Sequence, residues 1–188
     1  MERKDIVTEL VDRGKDPKEL LLNYAGTFYR YLFLAWRALE EAYGYDKASE
    51  LYRKFTWGGP ECGENFRQLL KQLDYKVKDI TTMGKASVAH YSGFPIPLDI
   101  VESTEERVVQ EASFCPNPAF GARPWDRALD QFVYHHVDGW LGTVDLYRNY
   151  FKVAGLDKEL DFHMEGSLCT GYPRCRFVIE RKTKRRRS

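Results

Sequence analysis

The chain has 188 residues, 43% of them hydrophobic and 30% charged, with a formal net charge of +1. That length supports one domain with its own core, and that composition excludes a disordered chain. So balanced a charge leaves no overall field to select nucleic acid or an acidic partner. The local exception is the terminal run Arg181-Lys182-Thr183-Lys184-Arg185-Arg186-Arg187. No aromatic interleaves its charges, as a strand-binding segment would need, and it reads as a solvated tail. The expected organisation is a single domain over 1–180 and a basic, disordered tail over 181–188, with no nucleic-acid partner.

The opening Met1-Glu2-Arg3-Lys4-Asp5 carries both signs of charge and no apolar h-region follows it, so no signal peptide is expected. The apolar run Tyr31–Trp36, bounded by Arg30 and Arg37, falls far short of the ~20 residues of a membrane span. These features predict a cytoplasmic protein with no membrane partner, in which thiols stay reduced. Cys62, Cys115, Cys169 and Cys175 are then metal ligands, nucleophiles or buried core residues rather than disulfides.

In chain order, Asp16-Pro17 opens a first helix, with apolar residues from Leu20 through Phe28, Tyr31 and Leu39 at helical spacing up to Gly44. Asp46 caps a second helix, broken by Trp57-Gly58-Gly59-Pro60. Glu64 to about Thr82 reads as a third, through Phe66, Leu69, Leu73, Val77 and Ile80. Past the proline-rich Ser92–Pro97, the segments Leu98–Glu102 and Arg107–Phe114 flank a polar turn and predict a hairpin that ends at Cys115-Pro116. Trp125 to about Ala154 is helical again, weakened by Gly139 and Gly142, and Leu160–Glu165 with Cys175–Glu180 form a second hairpin. The predicted fold class is α+β: N-terminal helices packed on an antiparallel sheet of hairpins, with a further long helix between them.

Two constellations could carry chemistry. Cys169 and Cys175 bracket a turn containing Gly171 and Pro173, so a hairpin could bring both sulfurs together. Cys115 could add a third thiolate, Glu165 an oxygen ligand, and His135 or His136 a nitrogen. Such a mixed set suits zinc or iron, although the C-x5-C spacing is not that of a zinc ribbon. Tyr134-His135-His136 is the second. Adjacent helical residues point about 100° apart, so the two histidines cannot serve one site equally, and an ordinary polar helix face stays open as a reading. Aromatic residues make up 14% of the chain, which fits either a tyrosine-rich core or an apolar ligand cavity. Trp125, Tyr134 and Trp140 are the candidates for lining such a cavity.

The ending Glu165-Gly166-Ser167-Leu168-Cys169-Thr170-Gly171-Tyr172-Pro173-Arg174-Cys175-Arg176-Phe177 resembles the close of 4-vinyl reductase-type domains. There a glutamate precedes a Cys-Gly-turn-Cys-x-Phe hairpin, which in related aromatic-sensing domains helps to hold zinc. This chain departs from that pattern in spacing, with Glu165 one residue further from the first cysteine and the cysteines closer together. The wider layout, over about residues 20–180, is similar to the L-2-amino-thiazoline-4-carboxylic acid hydrolase-like family. The shared features are the aromatic first helix (Phe28, Tyr31, Trp36), the Tyr43-Gly44 step, the strand ending in Cys115-Pro116 and the late Cys-x-Phe hairpin. The resemblance implies hydrolytic opening of a cyclic C–N bond in a small sulfur-containing amino-acid derivative. A metal-bound water or a thiolate such as Cys115 would attack, and His135 or His136 would act as acid/base. The alternative is a non-catalytic small-molecule-binding or sensor domain in which the cysteines hold a structural metal. A small-molecule partner is expected in both cases, and a homo-oligomer is left open.

Overall fold

The structure, a computed structural model, describes residues 14, 16–56, 58–92, 96–115, 129–168 and 172–182, with only the helical backbone over 129–141. Helix α1 (Pro17–Tyr43) has proline at its first position, where the missing N–H costs nothing. At Gly44 the chain turns straight into α2 (Tyr45–Thr56), the Ala48 N–H donating to the Gly44 carbonyl at 3.0 Å. Trp36 of α1, 3% exposed, meets the ring of Tyr45 edge-on at 5.9 Å.

The single helix expected from Glu64 to about Thr82 is two helices. Helix α3 (Pro60–Gln72) stops at Leu73, and α4 (Ile80–Tyr91) restarts after Asp79. The Asp79 carboxylate accepts the Thr82 N–H at 2.8 Å, while the Asp79 N–H donates to the Thr82 hydroxyl at 3.0 Å. This reciprocal capping box satisfies the new helix start. Hydrogen bonds from the Thr82 backbone, the Thr82 hydroxyl and the Thr81 hydroxyl also hold the Asp79 carboxyl down at about 2. Val77 and Ile80 continue the apolar spacing across the break, so periodicity alone joins the two helices.

Strands β1 (Leu98–Ser103), β2 (Arg107–Ala112), β3 (Leu160–Gly166) and β4 (Cys175–Arg181) form one antiparallel sheet in the order β1-β2-β4-β3. Both expected hairpins therefore share a sheet, joined through its centre by β2 and β4 with Val108 opposite Ile179, Val109 opposite Val178 and Ala112 opposite Cys175. Helix α5 (Leu129–Ala154) links the hairpins and runs unbroken through Gly139 and Gly142. The expected α+β architecture is thus present, with five helices and four strands among the described residues. Arg181, at the start of the basic run, is the last residue of β4, and the Lys182 N–H donates to the Glu159 carbonyl at 2.7 Å. The residues after Lys182 lie outside the described ones.

Helices α4 and α5 cover one face of the sheet, and α3 packs on both of them. Phe66, Met83, Tyr147, Tyr150 and Phe151 meet Val108, Phe162, Phe177 and Ile179 in one buried cluster. Gly84 permits the close approach of α4 to β2, since a Cβ there would lie 2.7 Å from Cγ1 of the buried Val108. The opposite face is polar, with Arg107, Glu111, Arg176 and Glu165 around the paired Val109 and Val178. No described helix is long and apolar enough to cross a membrane.

Candidate functional site

The ladder between β2 and β4 ends with Ala112 opposite Cys175. Cys115 lies three residues beyond the last residue of β2, so sheet pairing carries Cys115 and Cys175 towards the same end of the sheet. Both are buried in the core cluster, at 6% and 3% exposure. The Leu168 N–H donates to Cys175 Sγ at 3.4 Å, and the Tyr172 N–H donates to the Ser167 carbonyl at 3.1 Å. The chain on both sides of the hairpin turn is therefore folded back on the sheet end. Cys169, the residue after Leu168, lies outside the described residues, and among those described no group of three or more Cys, His, Asp or Glu side chains could hold a metal.

Tyr172 packs its ring on Gly166. A Cβ at Gly166 would lie 2.8 Å from Cδ1 and 3.3 Å from Cβ of Tyr172, so the near end of that side chain, not just its tip, must shift. Gly166→Ala is expected to cost about 1–2 kcal/mol, read as a lower urea midpoint. An unchanged midpoint would show that the turn does not rest on this contact.

Glu165 is held away from the two cysteines. Its oxygens accept from Arg107 and from Arg176 Nε, the latter at 2.7 Å, on the polar face of the sheet, whereas Cys175 sits on the core face. Arg176 and Arg174 also pair with Glu111 at 2.9 and 3.1 Å, and His163 lies 3.8 Å from Glu165 and 3.6 Å from Glu180. Partly solvated pairs of this kind contribute up to about 1 kcal/mol each. Glu165 and Cys175 therefore lie on opposite faces of the sheet. No family model and no curated protein matches the chain.

Tyr134, His135, His136 and Trp140 fall in the first half of α5, where only the helical backbone is described, and Trp125 precedes the described part. The second half of α5 carries two polar groups that the sequence reading missed. Tyr147, fully buried, donates its hydroxyl to Gln110 Oε1 at 2.7 Å. The Gln110 amide in turn donates to the Gly84 carbonyl at 2.7 Å and to Ser87 Oγ at 2.8 Å. Burial pushes the Tyr147 phenol far above its ordinary value, so it remains a donor throughout the physiological range. One turn on, the Tyr150 hydroxyl pairs with His90 Nδ1, and Phe66 stacks on the Tyr150 ring at 4.2 Å. Burial lowers the His90 pKa, which favours the neutral imidazole. His90 borders an open cleft of about 390 Å³ lined also by Asn65, Gln68, Gln72 and Ser92. A larger polar cleft of about 640 Å³ lies between α2 and α5, bridged by the Arg53–Asp145 ion pair at 2.6 Å. A glutamine two residues from Val108 and from Ala112, and so on the same face of β2 as both, was the available signal for the first network. Nothing in the spacing of His90 announced the second.

Proposed function

We propose that this chain is a small-molecule-binding domain of the 4-vinyl reductase type, with its C-terminal hairpin clasped by zinc or iron through Cys115, Cys169 and Cys175. The observation that carries this reading is the Leu168 N–H directed at Cys175 Sγ at 3.4 Å. A neutral thiol is a weak acceptor, whereas a metal-bound thiolate rewards such a donor, which also orients it. Leu168 is followed in the sequence by Cys169, and Cys115 lies three residues past β2, which makes these two the candidates to join Cys175 in the clasp. The metal would contribute folding energy, because its ligands come from distant parts of the chain. Glu165 stays with Arg107 and Arg176, outside the ligand set.

The deep burial of Cys115 and Cys175 favours a closed structural site over an open catalytic one. Hydrolysis of a cyclic C–N bond, as in L-2-amino-thiazoline-4-carboxylic acid, would instead need an accessible metal position or an accessible Cys115 thiolate. The ligand is assigned to the aromatic segment containing Trp125, Tyr134 and Trp140, with His135 or His136 as its polar contact. Support for that assignment is compositional, since rigid aromatic side chains line most apolar ligand sites.

Elemental analysis of the purified chain should find zinc or iron in stoichiometric amount, and Cys175→Ser should lose it. A chelator should lower the melting temperature of the wild type and leave that variant unmoved. Metal-free wild type that is indifferent to chelator would remove the clasp. Turnover of the thiazoline substrate, abolished by His135→Ala or His136→Ala with the metal retained, would replace binding by hydrolysis.

A further inference from the structure

The polar cleft of about 640 Å³ between α2 and α5 is fixed by contacts across it. Asp145 of α5 is at their centre. Its Oδ2 accepts from Arg53 Nε at 3.1 Å and from Arg53 Nη2 at 2.6 Å, and its Oδ1 pairs with Arg148 Nη1 at 3.4 Å. The chain leaving α2 folds back on the same stretch of α5. The Gly58 N–H donates to the Arg53 carbonyl at 2.7 Å, and Asn149 Nδ2 donates to the Gly59 carbonyl at 3.2 Å. A Cβ on Gly58 would lie 3.3 Å from Asp145 Cβ, so glycine lets this turn sit close against the aspartate. One carboxylate thus positions two guanidinium groups on the wall of the cleft.

The charges on that wall do not balance. Arg53, Lys54, Arg148 and Lys152 line the cleft together with the carboxylates of Asp46, Glu50 and Asp145. Asp145 is committed to Arg53, and Glu50 pairs at 2.8 Å with Lys47, which is not part of the lining. Lys54, Arg148 and Lys152 are left against the carboxylate of Asp46. Arg148 and Lys152 stand four residues apart on α5, where like charges repel and a bound anion would relieve the repulsion. Along α2 the sign is also segregated, with Asp46 in the first turn and Arg53 and Lys54 in the last.

Apart from Tyr45 and Gly58, every described residue of the lining is polar or charged, which disfavours an apolar ligand. Guanidinium forks and ammonium groups suit the oxygens of a phosphate, and an ionised carboxylate accepts from hydroxyl groups. We propose that this cleft binds a phosphorylated, hydroxyl-rich small molecule, with its phosphate monoester on Lys54, Arg148 and Lys152 and its hydroxyl groups on Asp46. The volume lies within the range of small-molecule sites, about 300–1,000 Å³. The site uses no residue of the cysteine clasp or of the aromatic segment, so its test is independent of theirs.

Isothermal titration calorimetry of the full chain with glucose 6-phosphate at low ionic strength provides that test. The sugar phosphate should bind one to one with a Kd of about 0.1–1 mM, and glucose should give no heat of binding. Inorganic phosphate should bind at least about threefold more weakly, for want of the hydroxyl contacts. Arg148→Gln and Lys152→Gln should each weaken the sugar phosphate about tenfold, the contribution of one charge-assisted hydrogen bond. Lys76→Gln removes an exposed cation outside the cleft and should leave Kd within about twofold, since solvent screens distant charges. Arg148 and Lys152 are exposed as well, and unchanged far-ultraviolet circular dichroism would confirm that all three variants fold. No binding of the sugar phosphate at about 10 mM overturns the proposal. So does binding that survives Arg148→Gln and Lys152→Gln, which would lie elsewhere on the chain, or binding weakened as much by Lys76→Gln, which would be a general attraction to positive charge. Inorganic phosphate bound as tightly as the sugar phosphate would overturn the hydroxyl-rich class of ligand.

Discussion

Phe66→Ala is expected to cost about 4 kcal/mol, because the ring is fully buried and its loss leaves a cavity in the core. Phe66 stacks on Tyr150 at 4.2 Å and meets the His90 ring edge-on at 5.8 Å. Both neighbours are tied to each other through the tyrosine hydroxyl and Nδ1. In a chain of this size a loss of that order lowers the melting temperature by roughly 10 °C.

The same change should alter the pH dependence. With its pKa lowered in the folded state, His90 resists a proton that the unfolded chain accepts near its ordinary value of about 6.5. Its contribution to stability is therefore complete above that value and declines as the pH falls below it, since the unfolded state then binds more protons. A cavity at position 66 admits water beside the imidazole and relieves its desolvation. Stability measured by urea unfolding at pH 7.5 and 5.5 should accordingly fall less steeply in Phe66→Ala than in wild type. A cost below about 1 kcal/mol would mean that the ring is not packed as described.

Gln110→Leu is expected to cost about 3 kcal/mol. Volume is nearly kept, but the buried Tyr147 hydroxyl loses its acceptor and the Ser87 hydroxyl a donor, and stranded polar groups in a core cost about 1–3 kcal/mol each. Tyr147→Phe strands Gln110 Oε1 instead and should cost about 1–2 kcal/mol. The double variant removes donor and acceptor together. It should therefore be less destabilised than the sum of the singles, by about 1–2 kcal/mol, in a thermodynamic cycle from urea unfolding. Strict additivity would show that the 2.7 Å contact contributes nothing beyond its two separate side chains.

The helical starts at Asp16-Pro17, the stop at Gly44, the two hairpins and the long helix before Gly155 were legible in the sequence. Each rests on interactions within a few residues, or on a period of two or 3.6 that exposes one face. The break between α3 and α4 is also local, written in Asp79 and Thr82, but the apolar spacing runs across it and masks it. Tertiary structure alone decided the order β1-β2-β4-β3, because the pairing of β2 with β4 joins residues far apart in the chain and is selected by burial of one whole sheet face. It also decided the fate of the polar candidates. Glu165 precedes Cys169 closely in sequence, yet strand alternation turns it to the face opposite Cys175, where Arg107 and Arg176 are the nearer cations. Gln110 and His90 gained their partners only when α4 and α5 closed over the sheet. Composition and spacing record which residues want to be buried, but a hydrogen bond across three elements exists only after all three are packed.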